Sequence, residues 1–211
     1  SLTITKKGEK ILFYCHAGCK TEDILEAVGL TFKDLGEYKS KNWKDRLEHK
    51  QGKQVEAIYD YRTEGGRYLY SKVRFENKCI QYITIDYDND RYEYGRGKTS
   101  SVLYRLPELV RAIREGYPVY IVEGEKDADT LVRLGYTATT AGSVKDWKKE
   151  FAHYFTGARV VILPDNDEPG ENLKNQIVRD LRDYAHSIKC VTTSKIKKGD
   201  VTDYLVKEGH T

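Results

Sequence analysis

The pattern of apolar and polar positions changes in character near residue 117. From residue 54 to 97, apolar and polar side chains alternate with a period of two, and turn residues interrupt the alternation. This pattern predicts an antiparallel meander with one buried face. After Tyr117-Pro118, short apolar runs alternate with segments of helical period. Strands that alternate with helices favour βαβ crossovers, and therefore a parallel sheet that helices cover on both faces.

Caps and breakers place the individual elements. In the second half, the expected strands are 119–122, 137–140, 159–163 and 188–192, and the expected helices are 127–134, 144–154, 169–184 and a short one from 201. Earlier in the chain, a strand at 10–14 precedes a helix with Thr21 as its N-cap, and Pro107 begins a helix at 108–115. The expected fold class is α/β, with a smaller antiparallel α+β subdomain before the parallel sheet.

The charge balance excludes several classes of protein. Lys and Arg total 36 against 33 Asp and Glu, a formal net charge of +3 over 211 residues. This surplus is far below that of a protein that coats nucleic acid by charge alone. No apolar run approaches the roughly 18 residues of a membrane-spanning helix, so we expect neither a membrane span nor a secretory leader. Four unevenly spaced cysteines do not form a disulfide framework, which favours a reducing cytoplasm.

Carboxylates follow two of the expected parallel strands. Glu123 comes after the first strand, and Asp165 and Asp167 come after the third. Ligands of such sheets sit beyond the carboxyl ends of the strands, so these side chains should converge. Like charges raise one another's pKa, and hard oxygen ligands suit Mg²⁺, so a cation site is expected, with Glu123 as a ligand or a general acid/base. Helix capping would explain either loop taken alone.

These motifs resemble the TOPRIM domain, which is shared by primases, type IA and II topoisomerases and some nucleases. The matching segments are Val122-Glu123-Gly124, Asp165-Asn166-Asp167 and the later Gly199-Asp200-Val201-Thr202-Asp203-Tyr204-Leu205. The resemblance covers roughly 85 residues and several ordered motifs. It implies a parallel sheet that binds Mg²⁺ or Mn²⁺ through Glu123, Asp165 and Asp167 and acts on phosphodiesters. Glu125, Asp127 and Asp200 would be supporting acidic residues.

The N-terminal segment carries Cys15 and Cys19, which could supply half of a zinc site. It resembles the tail of the zinc ribbon of phage and mobile-element primases, in which an upstream knuckle supplies the other two ligands. Zinc binding would then require the full-length protein. The expected domains are a zinc-ribbon remnant with a helix at 1–38, a basic β-rich primase-type subdomain at 39–117, and a TOPRIM domain at 118–211.

Basic and aromatic side chains are candidates for nucleic-acid contact. The candidate contacts with DNA or nucleotide are Lys44, Arg46, Arg74, Arg96, Lys98 and Lys126. The most basic stretch, 39–53, is expected to be a linker or mobile segment, and a solvated surface explains it as well as a DNA contact does. Tyrosine pairs in the meander could stack on bases, but an amphipathic sheet, in which tyrosine is a favoured residue, is the preferred explanation.

The resemblance implies a primase-type nucleotidyltransferase that makes short RNA primers on single-stranded DNA. Its expected partners are single-stranded DNA, nucleoside triphosphates and a replicative helicase domain or protein, in the cytoplasm of a bacterium or a phage-infected host. A metal-dependent TOPRIM nickase or DNA-relaxing enzyme is the alternative. A non-enzymatic single-strand-binding accessory is a second alternative, which the intact acidic set disfavours.

Overall fold

The computed structural model of the chain describes residues 1–7, 10–30, 41–192, 200–202 and 204. Two units are distinguished by their internal contacts, residues 1–52 and residues 53–211. The expected boundary near residue 117 lies inside the second unit. Among the described residues, no helix combines the length and the apolar character that crossing a membrane requires.

The first unit contains an antiparallel hairpin and two helices. Strands β1 (Leu2–Lys7) and β2 (Lys10–Cys15) form the hairpin, followed by α1 (Thr21–Ala27) and α2 (Trp43–Gln51). Thr21 was expected to be the N-cap of α1, but it is the first residue of the helix. Lys20 occupies the N-cap position, and no side chain caps the helix.

Helix α2 lies within the stretch that was expected to be a linker, so that expectation is wrong for residues 43–51. Asn42 caps the helix, since its side chain accepts a hydrogen bond from the Asp45 N–H at 3.0 Å. Gly52 ends it in the left-handed conformation. Leu47 is fully buried, so this basic helix has a buried apolar side chain as well as its caps.

The second unit begins with the expected antiparallel meander. Its strands are β3 (Val55–Arg62), β4 (Tyr68–Phe75), β5 (Ile80–Asp86) and β6 (Arg91–Tyr94), hydrogen-bonded in that order. The period-two pattern therefore predicted both the strands and their neighbours correctly.

A four-stranded parallel sheet follows, as expected. Its strands are β7 (Val119–Ile121), β8 (Thr137–Thr139), β9 (Arg159–Ile162) and β10 (Ser187–Cys190), in the spatial order β10-β9-β7-β8. All three pairings are parallel. The mixed α/β fold class is confirmed.

Helices α3 (Leu106–Arg114), α4 (Glu125–Arg133) and α5 (Glu168–Leu181) cover this sheet. The helix expected at 144–154 is instead a 3₁₀ helix, Lys149–Phe155. The Ser143 hydroxyl donates to the Asp146 carboxylate at 2.7 Å, and this local bond favours a turn over a helix. At the C-terminal end Val201 and Thr202 are helical, whereas Gly199, Asp203 and Leu205 of the later motif lie outside the described residues.

Two apolar clusters flank the parallel sheet. One joins α3, the 3₁₀ helix and α5, and the other joins the meander to α4 and the strand ends. Tyr59, Tyr61 and Tyr70 belong to the second cluster, and Tyr61 and Tyr70 are each only 1% exposed. These meander tyrosines are therefore core residues, in agreement with the amphipathic-sheet interpretation.

Candidate active site

The carboxyl ends of β7 and β9 lie side by side. The two strands pair in register at Ile121 and Ile162, and the Leu163 N–H donates to the Ile121 carbonyl at 2.9 Å. Each strand ends in a buried apolar residue before its acidic loop begins. The structure thus brings the loop that carries Glu123 next to the loop that carries Asp165, which is the juxtaposition that the strand-end argument requires.

The second acidic loop is fixed by its helix. Asp167 is the N-cap of α5, and its Oδ1 accepts a hydrogen bond from the Gly170 N–H at 2.9 Å. Gly170 packs directly beneath the loop, because a Cβ atom there would lie 2.5 Å from the Asp165 carbonyl oxygen. Asp167 therefore acts as a cap, as the alternative explanation expected. Asp165 has no capping role in the described contacts.

Burial and neighbouring charges act together on Glu123 and Asp165. Burial raises the pKa of Glu123, and the charges of Asp167 and Asp127 raise it further. The Glu123 Oε2 atom is buried and has no hydrogen-bond partner in the described structure. The pKa of Asp165 is raised to about 8, first by burial and next by the charge of Glu123. Ionising both carboxylates is unfavourable without a compensating cation.

The carboxylates do not form a closed cage. Across the described ranges, no group of three or more His, Cys, Asp or Glu side chains is arranged to hold a metal ion. Oxygen donors, an orphaned buried carboxylate oxygen and the raised pKa values of Glu123 and Asp165 nevertheless fit a hard cation. Such an ion commonly takes one or two protein carboxylates and fills its shell with water and phosphate oxygens.

Asp127 is hydrogen-bonded to Thr202. Its Oδ1 accepts from the Thr202 hydroxyl at 2.6 Å and from the Thr202 N–H at 3.2 Å. Burial raises the pKa of Asp127. Lys126 approaches Asp200 at 3.8 Å, and the charge of Asp200 contributes to the raised pKa of Asp165. Glu123, Asp165 and Asp167 form the acidic edge of the parallel sheet. Of the expected supporting residues, Asp127 and Asp200 therefore act electrostatically on this acidic edge.

Glu125 is placed differently from its expected supporting role. It is 5% exposed and forms an ion pair with Lys72, whose Nζ lies 2.8 Å from Oε1 and 3.0 Å from Oε2. The Tyr61 hydroxyl also donates to Oε1, at 2.5 Å. Both carboxylate oxygens are thus engaged inside the protein.

Sequence reasoning missed Lys72 as the partner of Glu125. The only signal was a lysine within an otherwise largely apolar and aromatic strand, and that signal does not identify its acid. A second set of bonds was also missed. Asp129 accepts hydrogen bonds from Arg105 Nε at 2.9 Å and from the Tyr104 hydroxyl at 3.1 Å. Arg105 adopts a left-handed φ of 55° at the N-cap of α3, and no sequence signal indicated this conformation.

The expected basic contacts are mostly paired with acids. Arg74 pairs with Glu56 at 3.3 Å, and Lys44 pairs with Glu48 at 3.8 Å within α2. Lys98 is exposed. Lys126 and Lys98, like Arg74 and Arg96, belong to the second unit, and Lys44 and Arg46 belong to the first.

Arg96 combines an ion pair with an aromatic contact. Its guanidinium lies 3.8 Å from the ring centre of Tyr82 and 3.4 Å from the Asp146 carboxylate. A cation over an aromatic face is held by the ring quadrupole as well as by the acid. Arg96 therefore contacts both an acid and an aromatic ring just after β6.

Cys15 and Cys19 lie close together in the first unit. Hydrogen bonds from the backbone of Cys19 and Ala17, and one from the Cys19 thiol, lower the pKa of Cys15, whereas the bond to Cys15 raises the pKa of Cys19. His16 contacts the Thr3 hydroxyl through Nε2 at 3.2 Å. The two thiols are free and could serve as two ligands, so the zinc half-site stays a prediction.

The chain is similar in sequence to a phage protein. No protein-family model matches the chain. The gene 57 protein of Mycobacterium phage D29 is 32% identical over 104 residues, which are 49% of this chain and 66% of that protein, just under two thirds of its length.

Two solved structures show the fold. One is a chain of the structure of bacteriophage T7 lagging-strand DNA polymerase interacting with primase domains of two gp4 subunits bound to an RNA/DNA hybrid and dTTP. Its TM-score is 0.54 at 19% identity, over 79% of this chain and 81% of that chain. The RNA polymerase domain of Mycobacterium tuberculosis primase DnaG has a TM-score of 0.50 at 20% identity, over 72% of this chain and 51% of that chain. The chain has a primase-type fold. This finding agrees with the primase resemblance of the sequence, while the TOPRIM assignment stays a prediction.

Proposed function

We propose that the chain is the catalytic core of a DNA primase of the phage and mobile-element type, which joins ribonucleotides into short primers on single-stranded DNA. The primase-type fold and the phage relative support the proposal. One observation carries it: Glu123 and Asp165 lie at the ends of adjacent parallel strands, and the charge of Glu123 raises the pKa of Asp165. Such a pairing of carboxylates costs folding free energy, which a cation-dependent function explains.

Mg²⁺ or Mn²⁺ is the cofactor that the donor set fits. Glu123 and Asp165 would hold the ion, and Asp167 would contribute through Oδ2 because Oδ1 caps α5. When bound, the ion would offset the charge of the nucleotide phosphates and promote attack by the primer 3′-hydroxyl. The edge would then be a site of the TOPRIM type, in which water and phosphate oxygens of the substrate complete the shell of the ion.

The residues of the chain supply the rest of the site. Without a cation, Asp165 holds a proton at neutral pH, because its pKa is about 8. Helix α4 starts at Glu125 directly after Gly124, and no side chain caps its first turn. Its free backbone N–H groups can therefore donate to a phosphate, as helix N-termini do.

Basic side chains would contact the template and the nucleotide. Under this proposal the contacting residues are Lys44, Arg46, Arg74, Arg96, Lys98 and Lys126. Arg74 and Lys126 would exchange their present acidic partners for phosphates. A helicase domain or protein as partner, a zinc ion in a longer protein and a bacterial cytoplasmic location belong to the same proposal.

A gel assay tests the proposal against nicking. The protein is incubated with Mg²⁺ or Mn²⁺, labelled nucleoside triphosphates and either single-stranded or supercoiled DNA. We expect short labelled products on single-stranded DNA only, and their loss in EDTA. Open circles from supercoiled DNA without primer synthesis would assign the acidic edge to a nickase, and neither product under any metal condition would refute a catalytic role.

A further inference from the structure

A buried polar network lies beside the loop that carries Glu123. Lys72 on β4 and Glu125 at the start of α4 are each 5% exposed and are joined by hydrogen bonds of 3.0 Å or less. Tyr61 on β3 donates to the same carboxylate. The network therefore ties two strands of the meander to the first residue of the helix that follows Glu123.

Lys72 also reaches the loop after β8. Its Nζ donates to the Gly142 carbonyl at 2.6 Å. Gly142 has a φ of 94°, and a Cβ atom there would lie 2.6 Å from the Tyr61 hydroxyl and 3.1 Å from Glu125 Oε1. Only glycine fits this position, because a side chain would displace the network and would be strained at that φ.

The network continues to the backbone of Glu123. The Gly142 N–H donates to the Thr140 hydroxyl at 2.9 Å, and that hydroxyl donates to the Glu123 carbonyl at 2.7 Å. Glu123 is thus held from two directions, through its own carbonyl oxygen and through the side chain of Glu125 two residues later.

Stability alone does not account for a buried ion pair of this kind. Removing two charges from water costs several kcal/mol per ion, and apolar residues of similar volume stabilise a fold equally well or better. Hydrogen bonds between charged groups fix their partners at defined distances and directions, which apolar contacts do not do.

We propose that Lys72 is a positioning residue that holds Glu123 beside Asp165, acting through Glu125 on one side and through Gly142 and Thr140 on the other. The inference rests on the proposed function in one respect, namely that Glu123 binds a divalent cation. It goes beyond that function by assigning the geometry of the acidic edge to a residue of the antiparallel sheet that touches neither acid.

Two triple variants separate positioning from stability. Lys72→Met/Glu125→Leu/Tyr61→Phe replaces the network with apolar side chains of similar volume. Arg105→Met/Asp129→Leu/Tyr104→Phe removes a Tyr–cation–acid set of the same chemistry that is only partly buried, whose acid also lies on α4, and serves as the control. For each protein we would measure the melting temperature, the Mn²⁺ affinity from the electron paramagnetic resonance signal of free Mn²⁺, and the amide exchange rate of Gly142 without metal.

We expect the network variant to melt within about 3 °C of the wild type. Its apolar residues replace an ion pair whose charges cancel, so no buried charge is left without a partner. Its Mn²⁺ affinity should fall about tenfold or more, as after the loss of groups that orient a metal ligand. Gly142 exchange should accelerate by about tenfold, because local opening becomes easier. The control variant should keep both the affinity and the exchange rate.

Wild-type Mn²⁺ affinity and Gly142 exchange in the network variant would overturn the inference. If that variant does not fold, Glu125→Gln decides by the same two measurements, because glutamine keeps an oxygen for Tyr61 and Lys72 but no charge. If the wild type binds no Mn²⁺, the proposed cation-dependent function is contradicted. The Gly142 exchange rate in the network variant still decides whether the network holds the loop after β8.

Discussion

Replacing Asp165 with asparagine should stabilise the metal-free protein in a pH-dependent way. The pKa of this carboxyl rises from its ordinary 3.8 to about 8, first through burial and next through the charge of Glu123. Between these values the native state keeps a proton that the unfolded chain has released. The stability associated with that proton is fully present below pH 3.8 and is lost as the pH rises to about 8.

The size of the effect follows from the shift. A difference of about four pKa units corresponds to an upper limit of about 6 kcal/mol. The side chain is only partly buried, so screening by solvent reduces the net effect to about 2 kcal/mol. Asparagine cannot ionise, and Asp165→Asn should therefore melt about 4–8 °C above the wild type at pH 8.5.

Melting curves in EDTA at pH 5.0 and pH 8.5 provide the test, with the exposed Asp88→Asn as the matched control. The gain in Asp165→Asn should be much smaller at pH 5.0, because the wild type then bears little of the charge penalty. Adding Mg²⁺ should narrow the difference in melting temperature at pH 8.5, because free Mg²⁺ at about ten times its Kd stabilises the wild type by about 1.4 kcal/mol. An equal shift at both pH values, with and without Mg²⁺, would refute the coupling of Asp165 to its neighbours.

Three further predictions concern packing, the buried pair and nucleic acid. Gly170→Ala should destabilise the protein by about 2 kcal/mol in chemical denaturation, because the added methyl group meets a backbone carbonyl at 2.5 Å; wild-type stability would contradict that contact. Lys72→Met should cost about 3 kcal/mol by leaving the buried charge of Glu125 without its cation, and a loss below about 1 kcal/mol would argue against the pair. Lys44→Glu/Arg46→Glu should weaken single-stranded DNA binding and lower the salt slope by about 1–2, whereas an unchanged slope in fluorescence anisotropy would remove α2 from the interface.

Much of the fold and the outline of the site were predictable from local patterns. A period of two specified the meander, and alternation of strands with helices specified the parallel sheet, because burial on one or both faces leaves a direct record in the sequence. The proximity of Glu123 and Asp165 followed from the geometry of parallel strands rather than from the residues themselves. Their adjacency in space is therefore a consequence of topology.

The features that escaped prediction depend on tertiary contacts. Glu125 resembles an active-site acid in the sequence, yet it pairs with Lys72, which lies 53 positions earlier on a strand of the antiparallel sheet. The stretch around α2 looked like a solvated linker, because its one fully buried side chain, Leu47, is hidden among charged neighbours. Asp167 could be a cap or a ligand by sequence, and only the hydrogen bond from Gly170 shows that it caps α5.

Primer synthesis by the Glu123→Gln variant most directly tests the claim that Glu123 and Asp165 form the active site. This substitution keeps the shape of the side chain and removes the charge that acts on Asp165 at the adjoining strand end. On a single-stranded template with Mg²⁺, we predict that labelled primer formation falls by at least about 100-fold, as expected when a major electrostatic contribution to the transition state is lost. The matched variant Glu93→Gln, at an exposed position of β6, should retain activity. Undiminished primer synthesis by a folded Glu123→Gln protein would contradict the account.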